Sequence, residues 1–228
     1  MKVELNTLYW NNGSYLGESH KQVMDHFGLS VNYHNLDKVH HGLWMDWLLE
    51  NSSSDIVGII ENDCIPLNPD IIQYCIDYVS QSGTFIGMAQ CANHIPPFNH
   101  IYAAPCFYFI STEFWKSIGK PSFLENPRSD VGEEISRICD ENRITYKALY
   151  PTHFERPSDE GIWKLANYGY YGIGTVFDNS IYHLYQGRLA KNAELFKLRC
   201  EQVIDGTFST DGFISSTEHF NGKIFNGN

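Results

Sequence analysis

No Cys-x-x-Cys pair occurs among the six cysteines Cys64, Cys75, Cys91, Cys106, Cys139 and Cys200, so the sequence carries neither a zinc ribbon nor a dithiol redox motif. No stretch approaches the roughly 20 apolar residues of a membrane span. MKVELNTLYW enters an apolar strand directly, without a signal-peptide core, and the expected setting is soluble, reducing and cytoplasmic, with buried thiols. Positive charge is also scarce: 16 Lys and Arg face 27 Asp and Glu, a formal net charge of -11. That argues against a broad basic surface for nucleic-acid backbones and leaves only a local basic groove open. Neither repeats nor a linker divide the chain, and 228 residues are enough for one domain with a full core. Aromatic residues, by contrast, are plentiful at 14%, enough to serve a core and a binding surface together.

The stretch DIVGIIENDCIPLNPD, residues 55–70, organises the rest. Ile56, Val57, Ile59 and Ile60 form a short unbroken apolar run, the pattern of a strand buried on both faces. Glu61, Asn62 and Asp63 follow where that strand leaves its sheet. Asn68 and Pro69 read as helix cap and first helical residue, with Ile71, Ile72, Cys75, Ile76 and Val79 at helical spacing. Ligands of open α/β sheets bind at the carboxyl ends of strands, and two carboxylates flanking one residue can share a divalent cation. A solvated acidic turn is the alternative.

Around this centre the sequence reads as strands at 3–10 and 29–36, helices at 19–26 and from His40 to Asn51, and the central strand. This β-α-β-α-β-α order requires a parallel sheet with right-handed crossovers. GTFIGMA and APCFYFI supply two more strands, and Ser111 or Thr112 caps a short helix that stops at Gly119. A helix from Val131 to about Asn142, with Asp130 as its candidate cap, leads to a sixth strand ending at Leu149. Residues 151–180 mix Gly161, Gly169, Gly172 and Gly174 with Trp163, Tyr168, Tyr170 and Tyr171, which suits a mobile loop over a planar or sugar ligand, or a rigid plug. A helix through Val203 and a polar tail from Asp205 complete the chain. Asn11 and Asn12, in the loop after the first strand, either bond a planar group or turn the chain, and His41 and Asp46 near the start of the second helix are binding candidates with a solvated alternative.

Three stretches resemble the GT-A-fold glycosyltransferases, which move a sugar from a nucleotide-sugar donor. HHGLWMDWLLENSSSDIVGIIENDCIPL is similar to the family's approach to its Asp-x-Asp motif, here Glu-x-Asp through Glu61 and Asp63. RSDVGEEISRICDENRI resembles the segment that carries the catalytic acid of inverting members, with Asp130 at the matching place and Glu133 close behind. IYHLYQGR resembles the late segment whose histidine completes the metal shell, which here is His183. The resemblance implies an α/β fold with a single GT-A-like domain over residues 1–204, a mostly parallel sheet flanked by helices, and a tail over 205–228. It further implies Mn²⁺ or Mg²⁺ held by Glu61, Asp63 and His183, and a UDP-sugar donor contacted by Tyr9, Asn11, Asn12, His41, Asp46, Glu61 and Arg188. Asp130 or Glu133 would act as base toward an acceptor hydroxyl, expected on a saccharide.

The chemistry supports that assignment independently of the family. Breaking a sugar-phosphate bond leaves a diphosphate with added negative charge, which a bridging divalent cation stabilises. Two carboxylates and a neutral imidazole suit Mn²⁺, whereas Mg²⁺ leans on oxygen and water. Glycosylation of a hydroxylated DNA base, nucleotidyl transfer and non-catalytic sugar binding are the competing functions. A nucleotidyltransferase would favour a basic Gly-rich loop after the first strand, and NNGSYLG has no Lys or Arg.

Overall fold

The computed structural model describes residues 1–10, 14–155 and 161–218. The chain begins β1 (Val3–Tyr9), α1 (Ser14–His26), β2 (Val31–Asn35), α2 (His41–Asn51) and β3 (Ile56–Ile60), and β1 pairs in parallel with both β2 and β3. All five residues of β3 are buried, as its unbroken apolar run predicts. Gly58 at its middle lets neighbours close in, since a Cβ there would lie 2.6 Å from Leu5 Cδ2 and 2.9 Å from Phe109. α1 starts five residues earlier than its apolar pattern suggests.

The next elements are β4 (Cys64–Pro66), α3 (Asp70–Ser82), β5 (Phe85–Cys91), β6 (Ile101–Ser111), α4 (Thr112–Ser117), α5 (Glu133–Asn142) and β7 (Lys147–Leu149). The six-stranded sheet runs β2-β1-β3-β6-β5-β7. β7 is parallel to β5, while β6 is antiparallel to both β3 and β5, so the sheet is mostly but not wholly parallel. The reversal follows from the connection: a loop rather than a crossover helix joins β5 to β6, and only antiparallel strands can be joined that way. Helices cover both faces. On one, α3 and Met24 of α1 pack with Leu5, Ile56 and Ile60; on the other, Trp44, Leu48, Trp115 and Ile135 from α2, α4 and α5 pack with Val57 and Ile59. Each such large side chain taken from water contributes about 1.5–3 kcal/mol. The architecture is the expected α/β one. Pro69 rather than Asn68 precedes α3, and Gly132 rather than Asp130 precedes α5.

The described residues of this range, 151–155 and 161–180, read from sequence as a mobile loop or plug, instead build β structure. β8 (Pro151–Glu155), β9 (Ile162–Leu165), β10 (Gly169–Gly172), β11 (Gly174–Phe177) and β12 (Ile181–Leu184) follow one another, then α6 (Ala190–Ile204) and β13 (Ile214–Ser215). A second sheet runs β13-β8-β11-β12-β4, and β9 and β10 form a hairpin. The glycines that suggested mobility serve close strand approach: a Cβ on Gly172 would lie 2.9 Å from Glu155 O. Inside this unit Glu155 accepts from Tyr182 Oη at 2.6 Å and pairs with Arg199 of α6. The tail is docked as far as it is described, with Ser216 fully buried and Phe208 and Phe213 packed against the second core. Among the described residues no helix is long and apolar enough to cross a membrane.

Candidate metal centre and cleft

Two strand pairings bring the candidate ligands together. β3 ends at Ile60, and the Glu61–Asn62–Asp63 turn carries the chain from the first sheet into β4 of the second. β4 pairs with β12 so that His183 stands opposite Cys64, and Leu184 N–H donates to Asp63 O at 2.9 Å. On the other side Ile60 faces Phe107 of β6, and Glu61 N–H donates to Cys106 O at 2.9 Å. The acidic turn is thus held between His183 and Cys106.

His183 Nε2 lies 3.5 Å from Asp63 Oδ1 and 3.8 Å from Glu61 Oε2, and its ring is 2% exposed. Glu61, Cys106 and His183 each place one ligand atom within 4.8 Å of the others. Burial alone would favour a neutral Glu61, but His41 at 3.0 Å, His183 and Cys106 together hold its carboxyl below the usual carboxylate range. Burial pushes Asp63 the other way, and the charge on Glu61 adds to the rise while His183 opposes it. Burial and the two acids push the Cys106 thiol well up.

Two observations fit a divalent cation here. Glu61 and Asp63 each place a carboxylate oxygen within 3.8 Å of His183 Nε2, and oxygen and nitrogen donors suit a borderline ion. Asp63 Oδ1 is sealed from solvent and faces His183 Nε2 at 3.5 Å without hydrogen-bond geometry. Such atoms are costly unless something is bound to them.

The acidic turn forms one wall of a cleft of about 400 Å³, also lined by Tyr9, Trp10, His41, Gly187 and Arg188. His41 stacks on Trp44 at 5.6 Å, so packing fixes the ring that meets Glu61. Trp10 is 42% exposed, its indole N–H donating to Val39 O at 3.2 Å, and Tyr15 Oη ties α1 to Gly187 O at 3.2 Å. Tyr9, His41, Glu61, Asp63, His183 and Arg188 therefore gather at one place. Asp46 does not join them: it accepts from Ser122 Oγ at 2.5 Å and Phe123 N–H at 2.8 Å, fastening α2 to the following loop. Asn11 and Asn12 lie outside the described residues. Trp10 and Cys106 were not found from sequence. An aromatic ending a strand was a usable signal for Trp10, whereas Cys106 had none, because its place depends on the reversed β6.

Asp130 and Glu133 are not among the residues that line this cleft. Asp130 Oδ1 accepts from Val131 N–H at 2.8 Å and Oδ2 from Tyr102 Oη at 3.3 Å. Glu133 is fully buried, with its oxygens taken by His100 Nδ1 at 2.6 Å, Arg137 at 2.6 Å and Asp130 N–H at 2.7 Å. It faces the interior and braces the Asp130 turn. Beside His183, Tyr185 lies 4.2 Å away, with Tyr171 and Trp163 packed on it at 5.2 and 5.5 Å.

Comparison with known proteins leaves the family open. No family model matches the sequence, and no curated protein does either. Solved structures of similar shape include A197 from STIV, at 12% identity over 81% of this chain and 94% of that one, with a TM-score of 0.43. A glycosyltransferase involved in the glycosylation of the major capsid of PBCV-1 matches at 13% identity over 66% and 82%, TM-score 0.39. A CMP:2-keto-3-deoxy-manno-octonic acid synthetase complexed with CTP matches at 9% identity over 65% and 90%, TM-score 0.37. With every score below 0.5, no activity carries over to this chain on these likenesses.

Proposed function

We propose that the chain is a metal-dependent glycosyltransferase that moves a sugar from a nucleotide diphosphate-sugar, a UDP-sugar by preference, to an acceptor hydroxyl on a saccharide. The observation that carries this reading is the convergence of Glu61, Asp63 and His183 on one side of an aromatic cleft. A bound Mn²⁺ or Mg²⁺ would supply charge stabilisation of the departing diphosphate. Arg188, at the rim, adds a cation suited to phosphate oxygens, and Tyr9 and Trp10 offer flat faces to a nucleobase. Trp163 and Tyr185, half-buried beside His183, are the aromatic side chains suited to a sugar there. Asp130 takes the acceptor hydroxyl proton if the transfer inverts configuration, with Glu133 holding its turn.

Incubation with UDP-sugars and Mn²⁺ tests the reading through release of UDP, by transfer or slow hydrolysis. Release that requires Mn²⁺ supports it. Consumption of a nucleoside triphosphate with pyrophosphate release would assign a nucleotidyltransferase instead, and sugar binding without turnover a binding module.

A further inference from the structure

The cysteine beside the acidic turn has no part in the chemistry above. Cys106 is the least sealed of the six cysteines, at 8% exposure, whereas the other five are at most 1% exposed. Its backbone carbonyl accepts from Glu61 N–H at 2.9 Å, and its S–H donates to Gln90 Oε1 at 3.9 Å, a long bond that a metal can displace. The sulfur sits within ligand range of Glu61 and His183. Asp63 Oδ1, sealed from solvent and 3.5 Å from His183 Nε2, borders the same spot.

We propose that Cys106 is a ligand position of this metal centre, giving it a nitrogen, oxygen and sulfur donor set that binds thiophilic divalent cations such as Zn²⁺ or Cd²⁺ more tightly than Mg²⁺. The inference rests on the metal centre of the proposed function. Carboxylate and imidazole ligands alone accept Mg²⁺ or Mn²⁺, while a thiolate favours softer ions. When such an ion binds, the thiol S–H breaks, its proton passes to the buffer, and the sulfur electron pair is donated to the cation. A site of this kind holds Zn²⁺ in competition with the ion used for transfer.

The test titrates the metal-free full chain with Cd²⁺ alone, following both the ultraviolet thiolate-to-metal charge-transfer band and the calorimetric affinity. Mn²⁺ and Mg²⁺ titrations are run in parallel, on the wild type, Cys106→Ser and Cys106→Ala, each first checked for native circular dichroism. The wild type is expected to show a saturable band that both variants lack, with Cd²⁺ affinity falling about 10- to 100-fold and Mn²⁺ affinity changing less. Two replacements of different size keep the test open if one disturbs packing. Cd²⁺ binding without the band, or a band that survives in both variants, overturns the proposal. Mn²⁺-dependent UDP binding, measured on the same protein, separates the two readings. If it persists while the band is missing, the Cys106 assignment fails alone; if neither cation binds, the metal centre fails with it.

Discussion

His20 is expected to make the fold acid-sensitive. It sits on α1 with no exposed surface, its Nδ1 3.0 Å from Tyr33 Oη and its Nε2 buried without a partner. Burial lowers its pKa to about 3. In the unfolded chain the imidazole titrates near its ordinary value of about 6.5, so below that pH the unfolded state binds a proton that the folded state refuses. The neutral ring therefore costs nothing above pH 6.5, and stability falls as pH drops, by about 1.4 kcal/mol per unit until the folded value is reached. Between pH 7 and pH 5 the loss from this residue alone is about 2 kcal/mol. Urea unfolding followed by tryptophan fluorescence at both pH values measures it, with His20→Gln as the comparison. The variant is expected to be less stable at pH 7, since it disturbs a buried contact, but to lose about 2 kcal/mol less on acidification. Carboxylate titrations are common to both proteins and cancel in the difference. An equal loss in the wild type and His20→Gln would refute the reasoning.

Two further outcomes follow. Arg199→Met leaves Glu155 buried without its cation and is expected to destabilise the second sheet by about 3–5 kcal/mol, read as a lower urea midpoint at pH 7; a midpoint unchanged from wild type would show that the pair holds nothing together. Asp130→Asn is expected to cut turnover by about 10²- to 10⁴-fold while leaving donor binding nearly normal, because the asparagine Oδ1 can still accept from Val131 N–H and its Nδ2 can donate to Tyr102 Oη. A near-wild-type rate, or retention of anomeric configuration in the product, would remove the base role from Asp130.

The first half of the fold was legible in the sequence because its elements follow local rules. The run from Ile56 to Ile60 has the composition of a doubly buried strand, and α2 and α3 show helical periodicity with recognisable ends. The reversal of β6 was not legible, since the residues of a fully buried strand read the same in either direction. The strands within 151–180 were hidden because glycine and aromatic residues serve loops and tightly packed strands alike. The same distinction divides the site. Glu61 and Asp63 stood out as acids ending an apolar run, whereas the contact of His183 with them depends on a pairing between strands more than a hundred residues apart. Asp46 illustrates the converse: an acid near a helix start looked available for a ligand, and the loop at Ser122 and Phe123 takes both of its oxygens.

The most direct test is calorimetric titration of UDP into the wild type and Asp63→Asn, each with and without Mn²⁺. Asp63 is raised by burial and by the charge on Glu61, so removing its charge is expected to leave the fold no less stable at pH 7 while taking away a cation ligand. The predicted result is UDP binding that Mn²⁺ strengthens in the wild type, and a metal-dependent gain reduced about 10- to 100-fold or more in a fully folded Asp63→Asn. An unchanged Mn²⁺-dependent affinity in that variant would contradict the metal centre and the function built on it.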